Sequence, residues 1–193
     1  MPKSEVMLRA LVVSAVVAVL LAAPADAYRF EGGRWPTNVI TYYTETSAYA
    51  WSVDTAAYAW NTSGANVRFV KTSHAKAKVL LGIRWYKHAG DAHVQRLGMR
   101  FVGAQIGIQT GHDRFEMALI VAHEFGHVLG LDHETGVCAT MNPTVGNDHT
   151  TLCPAPPAGM WTCRLLQTDD VRGAVALYGG SVKPWRGSSF CNR

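Results

Sequence analysis

The chain reads as an α+β domain built on one twisted, mixed sheet. Three observations predict this. β-Branched and aromatic runs are grouped in its first half. A long apolar segment at 114–130 follows a helix-capping residue. A further helical pattern stands near the end, beyond a loop rich in Gly, Pro, Thr and Cys.

Taken in order, RFEGGRWPTN leads into VITYYTE (39–45), a strand by its β-branched and aromatic content. AYAWSVDTAAYAWNTSG (48–64) places its apolar residues at three- and four-residue spacings before a polar stop, which predicts a helix. NVRFVK (66–71) and KVLLGIRWY (78–86) are expected strands, KHAGDAHVQRLG is expected to be a loop, and MRFVGAQIGIQT (99–110) returns to strand character despite its glycines. In RFEMALIVAHEFGHVLG (114–130), Asp113 is the expected N-cap, with Glu116 at the third helical position of a capping box. Leu131 to Gln167 reads as a long stapled loop. In TDDVRGAVALYGG, Thr168 is the expected N-cap, Asp169 and Asp170 suit the positive end of the helix dipole, and Gly179 stops the helix.

A length of 193 residues suggests one domain. Residues 1–27 read as a secretory signal peptide: Lys3 and Arg9 precede an apolar run from Ala10 to Ala23, and Ala25-Asp26-Ala27 offers a cleavage site. The run is short of the roughly 20 residues that span a bilayer, so neither a membrane anchor nor a membrane partner is expected. The domain then covers 28–193. Export favours two disulfides among Cys138, Cys153, Cys163 and Cys191. Three pairings are open, and proximity weakly favours 138–153 with 163–191. No C-x2-C spacing marks these cysteines as zinc ligands. The formal charge of +4 is scattered apart from KTSHAKAK (71–78), so no nucleic-acid partner is expected.

The chemistry is concentrated in HEFGHVLGLDH (123–133). On a helix, His123 and His127 are separated by about 400° and about 6 Å, so both imidazoles leave one face. Two imidazoles so placed can bind one zinc ion. Glu124 lies about 100° around, where a carboxylate flanks the metal. Gly130 permits the left-handed turn that ends the helix, and His133 can return as a third ligand. Three ligands leave a fourth position for water, the mark of a catalytic zinc site. Zinc lowers the pKa of that water to around 7, and a nearby carboxylate can take its proton.

By this segment, which matches H-E-x-x-H-x-x-G-x-x-H, the chain resembles the metzincin metalloproteases. CATMNP (138–143) looks like the Met-turn, with Met141 beneath the zinc. LQTDDVRGAVALYG (166–179) resembles the C-terminal helix of the matrixins, and TAAYAWN (55–61) their first helix. The resemblance implies a metzincin fold, with an active-site helix beneath the sheet, a C-terminal helix and a cleft for an extended polypeptide. It implies one catalytic zinc on His123, His127 and His133, with Glu124 as general base and later proton donor. The chain is thus expected to be a secreted, extracellular zinc metalloendopeptidase, acting as a monomer on polypeptides. The strand within 99–110 would be the sheet edge that pairs with substrate.

Several features depart from the resemblance. No cysteine lies between Tyr28 and Val137, so a matrixin cysteine switch is missing there. KHAGDAH offers His88, Asp91 and His93 at a spacing unlike the family's structural zinc site, and a polar loop is expected there. Calcium remains possible but unsupported, since no dense acidic loop is present. Asn142 follows Met141, so the tyrosine ligand of some metzincins is absent. Snapalysins, the close competitor, carry an aspartate as third ligand and a cysteine before the Met-turn. Here Cys138 is similarly placed, yet the position holds His133 after Asp132. Asp132 is expected at the surface, or orienting an imidazole or a backbone amide. Met160 and Trp161 suit either a substrate pocket or the core. Two further readings are an inactive secreted zinc-binding protein, against which Glu124 argues, and another zinc hydrolase such as an amidase.

Overall fold

The computed structural model describes residues 28–84, 88–143 and 165–183. Their strands are β1 (Arg29–Phe30), β2 (Val39–Thr44), β3 (Arg68–Lys71), β4 (Val79–Ile83), β5 (Gly90–Leu97), β6 (Arg100–Ile108) and β7 (Leu131–Asp132). Their α-helices are α1 (Ala50–Thr62), α2 (Arg114–Leu129) and α3 (Thr168–Tyr178). The signal-peptide segment, most of the expected stapled loop, Met160, Trp161, Cys153, Cys163 and Cys191 lie outside the described residues. Cys138 lies within them and is not free.

Five strands form one mixed sheet in the order β3-β2-β4-β6-β5, with β5 alone antiparallel to its neighbour. Val79 and Leu81 of β4 share one face of the sheet with Ile106 and Ile108 of β6, and all four are buried beneath the helices, whereas Gln105 on the other face of β6 is exposed. Helix α2 lies against this sheet through Phe125, whose ring stacks on Phe69 at 4.3 Å and meets Tyr42 at 5.7 Å. Helix α1 packs on α2. The buried indole of Trp60 reaches across to donate to the Ala122 carbonyl at 3.0 Å, so its one polar atom is satisfied.

Two expectations are corrected here. KHAGDAHVQRLG is not a loop from Gly90 onward but strand β5. Its side chains alternate, with Ala92 and Val94 against the core and Asp91, His93 and Gln95 exposed, and such a half-buried strand carries few apolar residues. The strand within 99–110 is consequently not the edge. β6 lies between β4 and β5, and β5 takes the edge position. The expected single sheet is also joined by a two-stranded ribbon, β1 with β7, which pairs Phe30 with Leu131.

Candidate active site

Helix α2 positions the site. Asp113 caps it as expected, its Oδ1 accepting from the Phe115 and Glu116 N–H groups at 2.7 and 2.9 Å. Glu116 pairs with His112 at 3.1 Å. The other end is closed by Gly130 at φ 101°, a conformation that glycine adopts without steric cost. Its N–H donates to the Gly126 and His127 carbonyls. The next two carbonyls, which a helix cannot satisfy internally, go to remote partners. Val128 accepts from the Trp35 indole at 2.7 Å and Leu129 from the Tyr178 hydroxyl at 2.8 Å.

Beyond Gly130 the chain turns into β7 and delivers His133. The three Nε2 atoms of His123, His127 and His133 then stand 3.1, 3.2 and 3.3 Å apart. His123 Nδ1 faces the Thr140 carbonyl at 2.7 Å, and His127 Nδ1 faces both Glu31 Oε1 and the Leu131 carbonyl at 3.0 Å. These acceptors require the proton on Nδ1 in both rings, which leaves both Nε2 atoms as lone pairs aimed at one point. Converging lone pairs repel unless a cation lies between them. Ligands at about 2.0 Å in a tetrahedral zinc site stand about 3.3 Å apart, so the triangle fits that ion. Among the described residues this is the one cluster of metal-ligating side chains. His88, Asp91 and His93 form no such group.

Glu124 is buried beside the triad, and its Oε2 has no hydrogen-bond partner in the structure. Burial pushes its carboxyl up to about 7, opposed by His127 and aided by Asp91 and Glu31. Burial, with the neighbouring His127, pulls His123 down to about 3 and lowers His133. His127 is raised instead: burial pulls it down, but its hydrogen bond to Glu31 and the charges of Glu124 and Glu31 more than offset this. Edge strand β5 passes directly over Glu124. A Cβ at Gly90 would lie 2.5 Å from Oε1, so the carboxylate occupies the space that glycine leaves.

Met141 is buried against α2 at Gly126, where any Cβ would collide with its sulfur. The Thr140–Met141 turn is held from α3 by Asp170, which accepts from the N–H groups of Thr140, Met141 and Gln167 at 2.9, 3.0 and 2.7 Å. This corrects the start of α3: Gln167, not Thr168, is the N-cap, because Asp170 reaches back to Gln167 in a capping box. Asp132 stays outside the triad and accepts from the N–H of His133 at 2.7 Å.

The matrixin family model matches residues 51–179, two-thirds of the chain and all three histidines. The chain belongs to the matrixin family. It is 30% identical over 178 residues to human matrix metalloproteinase-20, covering 76% of this chain and 32% of that protein. With human matrix metalloproteinase-27 the identity is 29% over 133 residues, 61% of this chain and 24% of the relative. With dog matrix metalloproteinase-9 it is 39% over 70 residues, 36% of this chain and 8% of the relative. The chain thus spans at most about a third of the length of these relatives.

Four residues that shape this matrixin's site were not legible as site residues in the sequence. Glu31, Gly90, Thr140 and Asp170 reach the site through strand pairing and loop docking, and Glu31 meets His127 across 96 positions. Inside the eleven-residue segment, by contrast, helical spacing puts His123 and His127 on one face, and the turn at Gly130 returns His133 to them.

Proposed function

We propose that this matrixin is a secreted zinc endopeptidase in which residues 1–27 direct export and 28–193 form the catalytic domain. The observation that carries the reading is the Nε2 triangle of 3.1–3.3 Å with a buried, unpaired carboxylate oxygen beside it. Export is consistent with Cys138 not being free, and a disulfide-stapled segment after the site is part of the proposal.

His123, His127 and His133 hold the ion. A bound zinc ion supplies Lewis acidity, polarising a peptide carbonyl and bringing the pKa of an attacking water to around 7. Glu124 takes that water's proton and later delivers it to the leaving amine, a role suited to a carboxyl poised near neutrality. An extended substrate adds to the open side of β5, where main-chain hydrogen bonds align the scissile peptide over Glu124.

Hydrolysis of a denatured protein substrate, with and without chelator, tests the reading. Activity is expected to vanish on chelation and to return with zinc. Glu124→Gln is expected to lower turnover by roughly 10²–10⁴-fold while retaining zinc. Equal turnover by the Gln variant overturns the assigned base. A zinc-loaded wild type inert on peptides, yet active in a screen of other amides, moves the assignment to an amidase.

A further inference from the structure

The N-terminal segment touches the histidine triad at one point. Glu31 Oε1 accepts from His127 Nδ1 at 3.0 Å, while Glu31 Oε2 accepts from Arg96 Nη2 at 2.6 Å. Arg96 Nη1 also donates to the Glu31 carbonyl at 2.6 Å, so the guanidinium grips backbone and side chain together. The Glu31 N–H donates to the Gly130 carbonyl at 2.9 Å, which ties the residue to the end of α2. Arg96 in turn lies over the buried ring of Phe101, 5.2 Å from its centroid. The carboxylate is therefore held between Arg96 and His127, and the Glu31 backbone between Arg96 and Gly130. With side-chain exposures of 21% for Glu31 and 13% for His127, the contact is largely withdrawn from water.

We propose that Glu31 is a positioning residue for the metal centre: its carboxylate, held by Arg96, fixes the ring of His127 and strengthens that histidine as a ligand. The proposal rests on the reading that the triad holds zinc. His127 Nδ1 already has a neutral acceptor in the Leu131 carbonyl at 3.0 Å, which alone would set the tautomer. Glu31 adds negative charge on the side of the ring away from the metal. That charge pushes electron density toward Nε2 and increases its attraction for a cation. At the same position His123 faces the neutral Thr140 carbonyl. The N-terminal segment thus contributes to metal retention without supplying a ligand, through a carboxylate just beyond β1 that faces a histidine of α2.

A purely structural role for the Glu31–Arg96 pair predicts something different. Loss of the pair would then lower stability equally with and without zinc, and leave zinc release unchanged. The deciding measurement is the rate of zinc transfer from the full chain to excess chelator, together with the visible spectrum of the cobalt-substituted protein. Glu31→Ala is expected to release zinc about 10–100-fold faster and to alter the cobalt bands. Glu31→Gln keeps the shape and an acceptor oxygen but not the charge, and should fall between Ala and wild type. As a control, Lys71→Gln breaks the remote Lys71–Asp54 pair and should match wild type in both readouts.

Zinc release and cobalt bands unchanged in both Glu31 variants would overturn the proposal. If Glu31→Ala does not fold, the Gln variant decides alone. A wild-type chain that binds no zinc overturns the metal-site reading itself, an outcome distinct from tight binding by wild type and Glu31 variants alike.

Discussion

Glu124 combines a buried position with an ionisable group, and the two oppose each other. Its pKa in the fold, about 7, lies above the ordinary 4.5 because burial penalises the charged form. A group raised in this way contributes stability that is fully present below about 4.5 and lost as pH rises through about 7. In chelated protein, Glu124→Gln should therefore match wild type near pH 4.5 and be more stable near pH 8, by about 3 kcal/mol at most. Thermal melts at the two pH values check this, and a difference that does not change with pH would refute it. Gly90 tests the same carboxylate sterically. Its backbone is not in the left-handed region, so alanine strains only Glu124, through a Cβ lying 2.5 Å from Oε1. Gly90→Ala is expected to lower kcat about tenfold or more by moving the proposed base, with zinc content unchanged. Nothing in KHAGDAH discloses this constraint, because it exists only once β5 crosses α2.

Helix α2 was legible because its signals are local: a capping aspartate, an i, i+4 histidine pair and a terminating glycine lie within one short segment. Strand β5 was not, since an edge strand with one wet face has the composition of a loop. Strand order was illegible for a related reason. β6 has an apolar character that suits either an edge or an interior position, and only pairing with β4 on one side and β5 on the other decides. Predictions at this scale follow the two ends of α2. Asp113→Ala removes acceptors for two N–H groups and should cost about 1 kcal/mol in urea unfolding while leaving zinc affinity intact. Gly130→Ala should cost about 2 kcal/mol or more, from the left-handed conformation and from a Cβ placed 2.5 Å from the Gly33 carbonyl. It should also loosen zinc, because His133 follows that turn. Equal effects of the two substitutions on zinc affinity would contradict the division between a capping end and a metal-bearing end.

At the scale of the whole chain, the α+β class, the mixed sheet and the matrixin family were readable from element order and one motif, whereas the role of the N-terminal segment was not. Its partners lie far along the sequence: Trp35 meets Val128 across 93 positions, and Arg34 reaches the Leu177 carbonyl across 143. Metal and fold should accordingly stabilise each other. Free zinc at a thousandfold excess over its dissociation constant should add about 4 kcal/mol, so the melting temperature should rise with zinc concentration and fall on chelation. A melting temperature indifferent to zinc would mean that the triad binds nothing of consequence.

The closing of the α2 terminus by an indole at position 35 and a phenol at position 178 also bears on the order of events as the exported chain emerges. A chain threaded N-terminus first presents all three imidazoles before that phenol. Until the phenol follows, the chain carries the whole histidine triad but not the lock on its frame. Firm metal capture should therefore follow the docking of α3, making the ion a seal on a finished domain rather than the seed of its folding.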